Sequence, residues 1–153
     1  MTSELSLLKT RITEDMKSAM RAQDKNLLGT IRLLLSAIKQ REVDERKILS
    51  DGDILDVVAK MIKQRKDSVS QFTTAGRTDL AEIELQEILY LQAYLPEPLS
   101  EAELKKIIDE IVVKLNATSV KDMGAVMAEL RERVHGRADM GLLGGMVKQR
   151  LSQ

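Results

Sequence analysis

Between Asn26 and Lys39 the chain reads "NLLGTIRLLLSAIK", and its apolar residues Leu27, Leu28, Ile31, Leu34, Leu35 and Ile38 fall at spacings of three and four. That period gathers them into one broad stripe of a helix, a stripe that has to be buried against something. The same period returns in Ile54, Val57, Val58, Met61 and Ile62, in Leu104, Ile107, Ile108, Ile111 and Leu115, and in Met123, Val126, Met127, Leu130 and Val134. Strict alternation never lasts long enough to make a strand. The expected fold class is all-α.

Local punctuation divides the helices. Ser100 followed by Glu103 forms a capping box, and Ser119 with Asp122 is a weaker version of it. Asp24, and Ser50 or Asp51, stand where the second and third helices should begin. Gly29, inside the second helix, costs roughly 1 kcal/mol relative to alanine and is expected to allow close approach of a neighbour. Both prolines, Pro96 and Pro98, fall within "YLPEPLS", and neither fits a helix interior. The expected helices run from 3 to 22, 25 to 47, 51 to 75 and 79 to 94, then 100 to 116, 120 to 134 and 139 to 151. Short connections imply antiparallel neighbours. Residues 1–95 should therefore form an N-terminal up-and-down four-helix bundle, and 99–153 a small C-terminal three-helix subdomain.

A length of 153 residues with 43% hydrophobic and 31% charged side chains suits a globular protein. No apolar run approaches the ~20 residues that span a bilayer, and the start "MTSELSLLKTR" has no basic stretch followed by an apolar one, so a cytoplasmic location is expected and a membrane role is not. The absence of cysteine excludes disulfides, thiolate zinc sites and cysteine nucleophiles. Net charge is zero but unevenly spread. Residues 1–48 hold ten Lys/Arg against seven Asp/Glu, 49–120 eight against thirteen, and 121–153 six against four.

One short pattern occurs twice, as "AGRTDL" at Ala75–Leu80 and "HGRADM" at His135–Met140. Gly76 and Gly136 are placed to close a helix in a left-handed conformation, and Asp79 and Asp139 to open the next one. Gly-x-x-Asp is thus a stop and a start, but neither cap requires Arg77 or Arg137. The pattern reads either as helix-junction grammar or as a functional signature.

The stretch from Arg65 to Leu104, "RKDSVSQFTTAGRTDLAEIELQEILYLQAYLPEPLSEAEL", resembles the YqeY family, with Gly76, Arg77, Asp79, Leu80, Glu84, Glu87, Tyr94, Leu95 and Pro96 at matching positions. The stretch from Asp122 to Leu151 resembles the family's C-terminal part. It is also similar to the tail domain of the B subunit of the glutamine-dependent Asp-tRNA/Glu-tRNA amidotransferase, through Gly124, Met127, Gly136, Arg137, Ala138, Asp139, Val147 and Leu151. Met140 stands where relatives tend to have glycine or proline. The resemblance implies a larger helical domain followed by a small one. It also implies kinship with a carbon-nitrogen ligase that uses glutamine as amido donor, but with the tail that helps hold tRNA and not with the catalytic cradle.

The residues agree with a noncatalytic part. "GLLGG" lacks the lysine and spacing of a phosphate-binding loop. Asp51, Asp53 and Asp56 would need a glutamate where Ile62 stands to make a calcium loop, and read instead as helix N-terminal charges. No metal site and no cofactor are expected. His135 is the single histidine and reads as a helix C-terminal residue. Glu84 and Glu87 interrupt the stripe Leu80, Ile83, Ile88, Leu91 and Leu95. They read as partners for a cation of "KQRK" on the third helix, with a carboxylate pair for acid-base work as the competing reading. Most of the eight methionines read as core filling, because Phe72, Tyr90 and Tyr94 are the only aromatics.

So few rings argue against stacking on single-stranded bases, which leaves backbone recognition by cations. The candidate RNA contacts are Arg137, Lys148, Arg150, Arg131, Arg133 and Lys121, with Gly76, Arg77, Asp79, Gly136 and Asp139 as structural motif residues. Arg137 is expected to meet phosphate, and Arg77 to pair with a carboxylate such as Glu82. Two functions follow: a noncatalytic tRNA-binding accessory whose partners are tRNA or the amidotransferase machinery, or a helical protein-interaction module without an RNA role.

Overall fold

A computed structural model describes residues 6–153, which form seven α-helices and one 3-10 turn, with no strand among the described residues. The helices are α1 (Leu7–Ala22), α2 (Lys25–Glu45), α3 (Asp51–Thr74), α4 (Thr78–Gln92), α5 (Glu101–Leu115), α6 (Met123–Val134) and α7 (Met140–Leu151). Residues 3–5, expected to begin the first helix, lie outside the described residues.

The starts follow from side-chain chemistry. Ser6, Asp24, Ser50 and Ser100 each accept a backbone N–H of the first turn of α1, α2, α3 and α5, answering donors that the helix itself leaves unpaired. Ser50 and Asp53 complete a reciprocal box at α3. Ser119 and Asp122 complete another, but it closes only the 3-10 turn Val120–Asp122, so α6 begins at Met123 and not at 120. Arg46, Gln23 and Asn116 end their helices in left-handed conformations.

The chain separates into two compact units that divide between Leu95 and Pro96. In the first, α1 to α4 pack together, and α3 and α4 pair most extensively. Its core joins Ile12 and Ala19 of α1, Ile31, Leu34 and Ile38 of α2, Leu49 of the connection, five apolar residues of α3, and Ile88, Leu91 and Tyr94 from the end of the unit. The second unit buries Leu104, Ile108, Ile111 and Val112 of α5 against Val126, Leu130 and Val134 of α6 and Leu143, Val147 and Leu151 of α7. Each such side chain contributes up to about 1.5–3 kcal/mol. Met61 is buried, and Met16, Met123, Met127, Met140 and Met146 pack against the two cores. Thr30, the one buried polar residue among those described, returns its hydroxyl to Asn26 O at 3.1 Å.

Gly29 departs from expectation. A Cβ there would meet nothing within 4 Å, so no neighbour approaches closely enough to require glycine. No described helix is long and apolar enough to cross a membrane.

Candidate functional site

The two Gly-Arg-x-Asp copies close their helices differently. After α3, Gly76 has φ 74°, its N–H donates to Thr73 O at 3.1 Å, and Arg77 N donates to Phe72 O at 2.8 Å. This is the paired 5→2 and 6→1 closure that satisfies the last carbonyls of a helix. After α6, both His135 (φ 23°) and Gly136 (φ 72°) take positive φ, and Arg137 N donates instead to Val134 O at 2.8 Å. The start differs as well. Asp139 caps α7 by accepting Gly141 N at 2.7 Å, whereas Asp79 already lies inside α4, one residue past Thr78.

The arginines diverge with their junctions. Arg77 forks onto Asp79, donating from Nε at 3.2 Å and Nη2 at 3.1 Å, and not onto Glu82. The pair is exposed, and the Arg77 hydrogen bond, chiefly, holds the Asp79 carboxyl below its ordinary range. Arg137 binds main chain on both sides: Nε donates to Glu97 O at 3.1 Å, and its own carbonyl accepts Leu99 N at 3.0 Å. The segment containing Pro96 and Pro98 is therefore fastened to the α6–α7 junction of its own unit.

The remaining candidate cations fall into two groups. Arg133 donates to Glu110 at 2.8 Å and Arg150 to Asp109 at 2.8 Å, each tying its helix to α5. Arg131, Lys148 and Lys121 are exposed, and among the described residues no ion pair engages them. His135 lies 3.7 Å from Glu132. No group of three or more potential metal-ligating residues occurs among the described residues.

Three charged side chains meet between α3 and α4. Arg65, from "KQRK", approaches Glu87 to 3.7 Å and donates to Met61 O at 3.2 Å, while its Nε is buried without a hydrogen-bond partner. Glu84 stands beside them. Burial first, and then the Glu87 charge, push its carboxyl up, against the opposing pull of Arg65. One arginine between two half-buried carboxylates ties the helices together.

Sequence reasoning did not find a cluster in the first unit. Arg11 donates to Ala93 O at 3.1 Å and lies 4.8 Å from the Tyr94 ring centroid, while Tyr94 donates its hydroxyl to Asp15 at 2.6 Å. Burial, and then the Asp15 hydrogen bond, push the Tyr94 phenol upward. The available signal was the spacing of Arg11 and Asp15, four residues apart and so on one face of α1.

The model of the Yqey-like protein family matches residues 9–151. The chain belongs to the YqeY family. Relatives named "Altered inheritance of mitochondria protein 41, mitochondrial" occur in several fungi. That of Kluyveromyces lactis is 44% identical over 84 residues, covering 54% of this chain and 45% of the relative. That of Lachancea thermotolerans is 38% identical over 111 residues, covering 71% and 59%, and that of Saccharomyces cerevisiae 32% over 136 residues, covering 84% and 71%. The YqeY chain thus spans about half the length of the first two relatives. Their mitochondrial names overturn the cytoplasmic placement. That placement rested on the lack of a leader pattern or apolar span, and such a lack does not determine a compartment. In YqeY terms, Gly76, Arg77 and Asp79 build the α3–α4 junction, Glu84 and Glu87 flank Arg65, and Tyr94 anchors the end of the first unit to α1.

Proposed function

We propose that this YqeY chain is a noncatalytic accessory module that holds tRNA by its phosphate backbone, with Arg131, Lys148 and Lys121 as the contacting cations. The observation carrying this reading is their exposure, with no carboxylate partner among the described residues, on the unit that resembles the amidotransferase tail. Their neighbours Arg133, Arg137 and Arg150 are engaged within that unit, so phosphate would have to displace existing partners to reach them. Scarce aromatic side chains favour the same mode, since backbone contact needs charge and no ring.

Titrating full-length protein against tRNA at several salt concentrations tests it. Arg131→Ala and Lys148→Ala should each weaken binding for every tRNA alike and reduce the salt slope by roughly one unit, with unchanged melting temperature. Arg137→Ala should instead lower stability by about 1 kcal/mol as the Glu97 bond is lost, and Arg77→Ala should leave melting unchanged because its pair is solvated. Absence of any salt-dependent binding by the parent protein would refute the tRNA reading. A protein-interaction module would then stand, favoured by the exposed apolar side chains Ile83, Leu85 and Leu89 of α4.

A further inference from the structure

A cleft of about 390 Å³ opens in the first unit between the second half of α1, the start of α2 and the end of α4. Its walls include Leu27, Leu89, Tyr90 and Tyr94, and the two charged residues that line it, Asp15 and Asp24, are both acidic. Each carboxylate is held in place through one oxygen: Asp15 Oδ2 accepts the Tyr94 hydroxyl at 2.6 Å, and Asp24 Oδ1 accepts Leu27 N at 3.2 Å. Among the described residues the second oxygen of each takes no hydrogen bond. The nearby cations of α1 are directed elsewhere, Arg11 to Ala93 O, Lys17 to Glu14 and Arg21 to Ser18.

The cleft continues onto an uncovered apolar surface. Leu89, 61% exposed, forms part of its wall, and Leu85, 49% exposed, lies one turn earlier on the same face of α4. An occupant matched to this surface needs an apolar ridge for Leu85 and Leu89, and a cation at the end of that ridge for the fixed carboxylates. We infer that the cleft docks a basic amphipathic helix of a partner protein, which seats a leucine-sized side chain against Leu27, Leu89 and Tyr90 and an arginine or lysine on Asp15 and Asp24. This surface lies on α1, α2 and α4, so it goes beyond the tRNA reading and stands whether or not Arg131 and Lys148 bind RNA.

The test uses full-length protein and a fluorescent, end-capped helical peptide of about four turns, with leucine and arginine at i, i+3, i+4 and i+7. A control peptide carries glutamate at every arginine position. Binding should be read by anisotropy and mapped by amide chemical shifts. The basic peptide should bind and shift resonances of Asp24, Leu27, Leu89 and Tyr90, and the acidic peptide should not. Asp24→Asn keeps a good helix cap while removing the charge, and Leu89→Ala changes an exposed position, so both variants should fold as the parent does. Each should weaken binding by about three- to tenfold. Equal affinity for the two peptides, shifts confined to other helices, or unchanged affinity in both variants would overturn the proposal. So would dimerisation of the parent that Leu89→Ala abolishes, because a second copy would then be the occupant.

Discussion

At the scale of single residues, Glu84 shows how a half-buried charge becomes a function of pH. Its carboxyl titrates above the ordinary 4.5 because burial and then Glu87 disfavour the charged form, while Arg65 only partly offsets them. A group whose folded pKa is raised takes up its proton more readily when folded. Stability then falls as pH rises from the ordinary glutamate value through the raised folded one. Glu84→Gln should therefore raise the melting temperature at pH 7, and the gain should shrink to nothing as pH drops below 4.5. Melting curves across this range check it, and a constant gain at all pH values would refute the electrostatic account. Glu87→Gln should act oppositely, because Arg65, whose side chain is 13% exposed, would lose its carboxylate. The pairing of "KQRK" with this glutamate could be read from helical spacing alone. Which of its cations reaches across could not, since Lys63, Arg65 and Lys66 differ in direction by side-chain geometry that only packing decides. Arg77 is a second such case: its fork takes Asp79, two residues on, in place of the Glu82 expected from sequence.

At the scale of helices, the apolar period made the elements legible, because a stripe of Ile, Leu and Val at spacings of three and four is what burying one face of a helix requires. Ends were less so. Ser119 and Asp122 form their reciprocal bonds as expected, but the same bonds are compatible with a 3-10 turn, and α6 begins three residues late. Asp79 was expected to cap α4 and instead lies in its first turn, one residue past Thr78, with Arg77 at the cap position and no side-chain cap hydrogen bond there. Gly29 was misread for a different reason: sequence shows a missing side chain but not what surrounds it. With open space around its Cβ position and no positive φ recorded, Gly29→Ala should stabilise the protein by about 0.8–1 kcal/mol through helix propensity. Chemical denaturation would show an unchanged slope and a higher midpoint. A loss of stability would mean that another surface covers that face of α2.

At the scale of the whole molecule, the two cores have separate membership, and no residue of one cluster belongs to the other. The second core is the smaller, drawn from three short helices and the segment that Arg137 fastens. A unit of this size has little stability in reserve. Leu130 is fully buried within it, between Val126 and Val134 on α6. Truncation to alanine removes its transfer energy and leaves a cavity, a loss of about 2–5 kcal/mol. Such a loss equals or exceeds what a small three-helix core can spare, so Leu130→Ala should open α5 to α7 as a group. Hydrogen exchange followed by peptide should show protection falling across Glu101–Leu115, Met123–Val134 and Met140–Leu151, while Ile31, Leu34, Val58 and Leu91 in the first core keep theirs. The fully buried Ile31 of α2 supplies the converse: Ile31→Ala should lower protection in α1 to α4 and spare Leu130 and Leu143. Parallel loss in both cores from either substitution would mean that the chain unfolds as one cooperative body and that separate core membership does not imply separate stability.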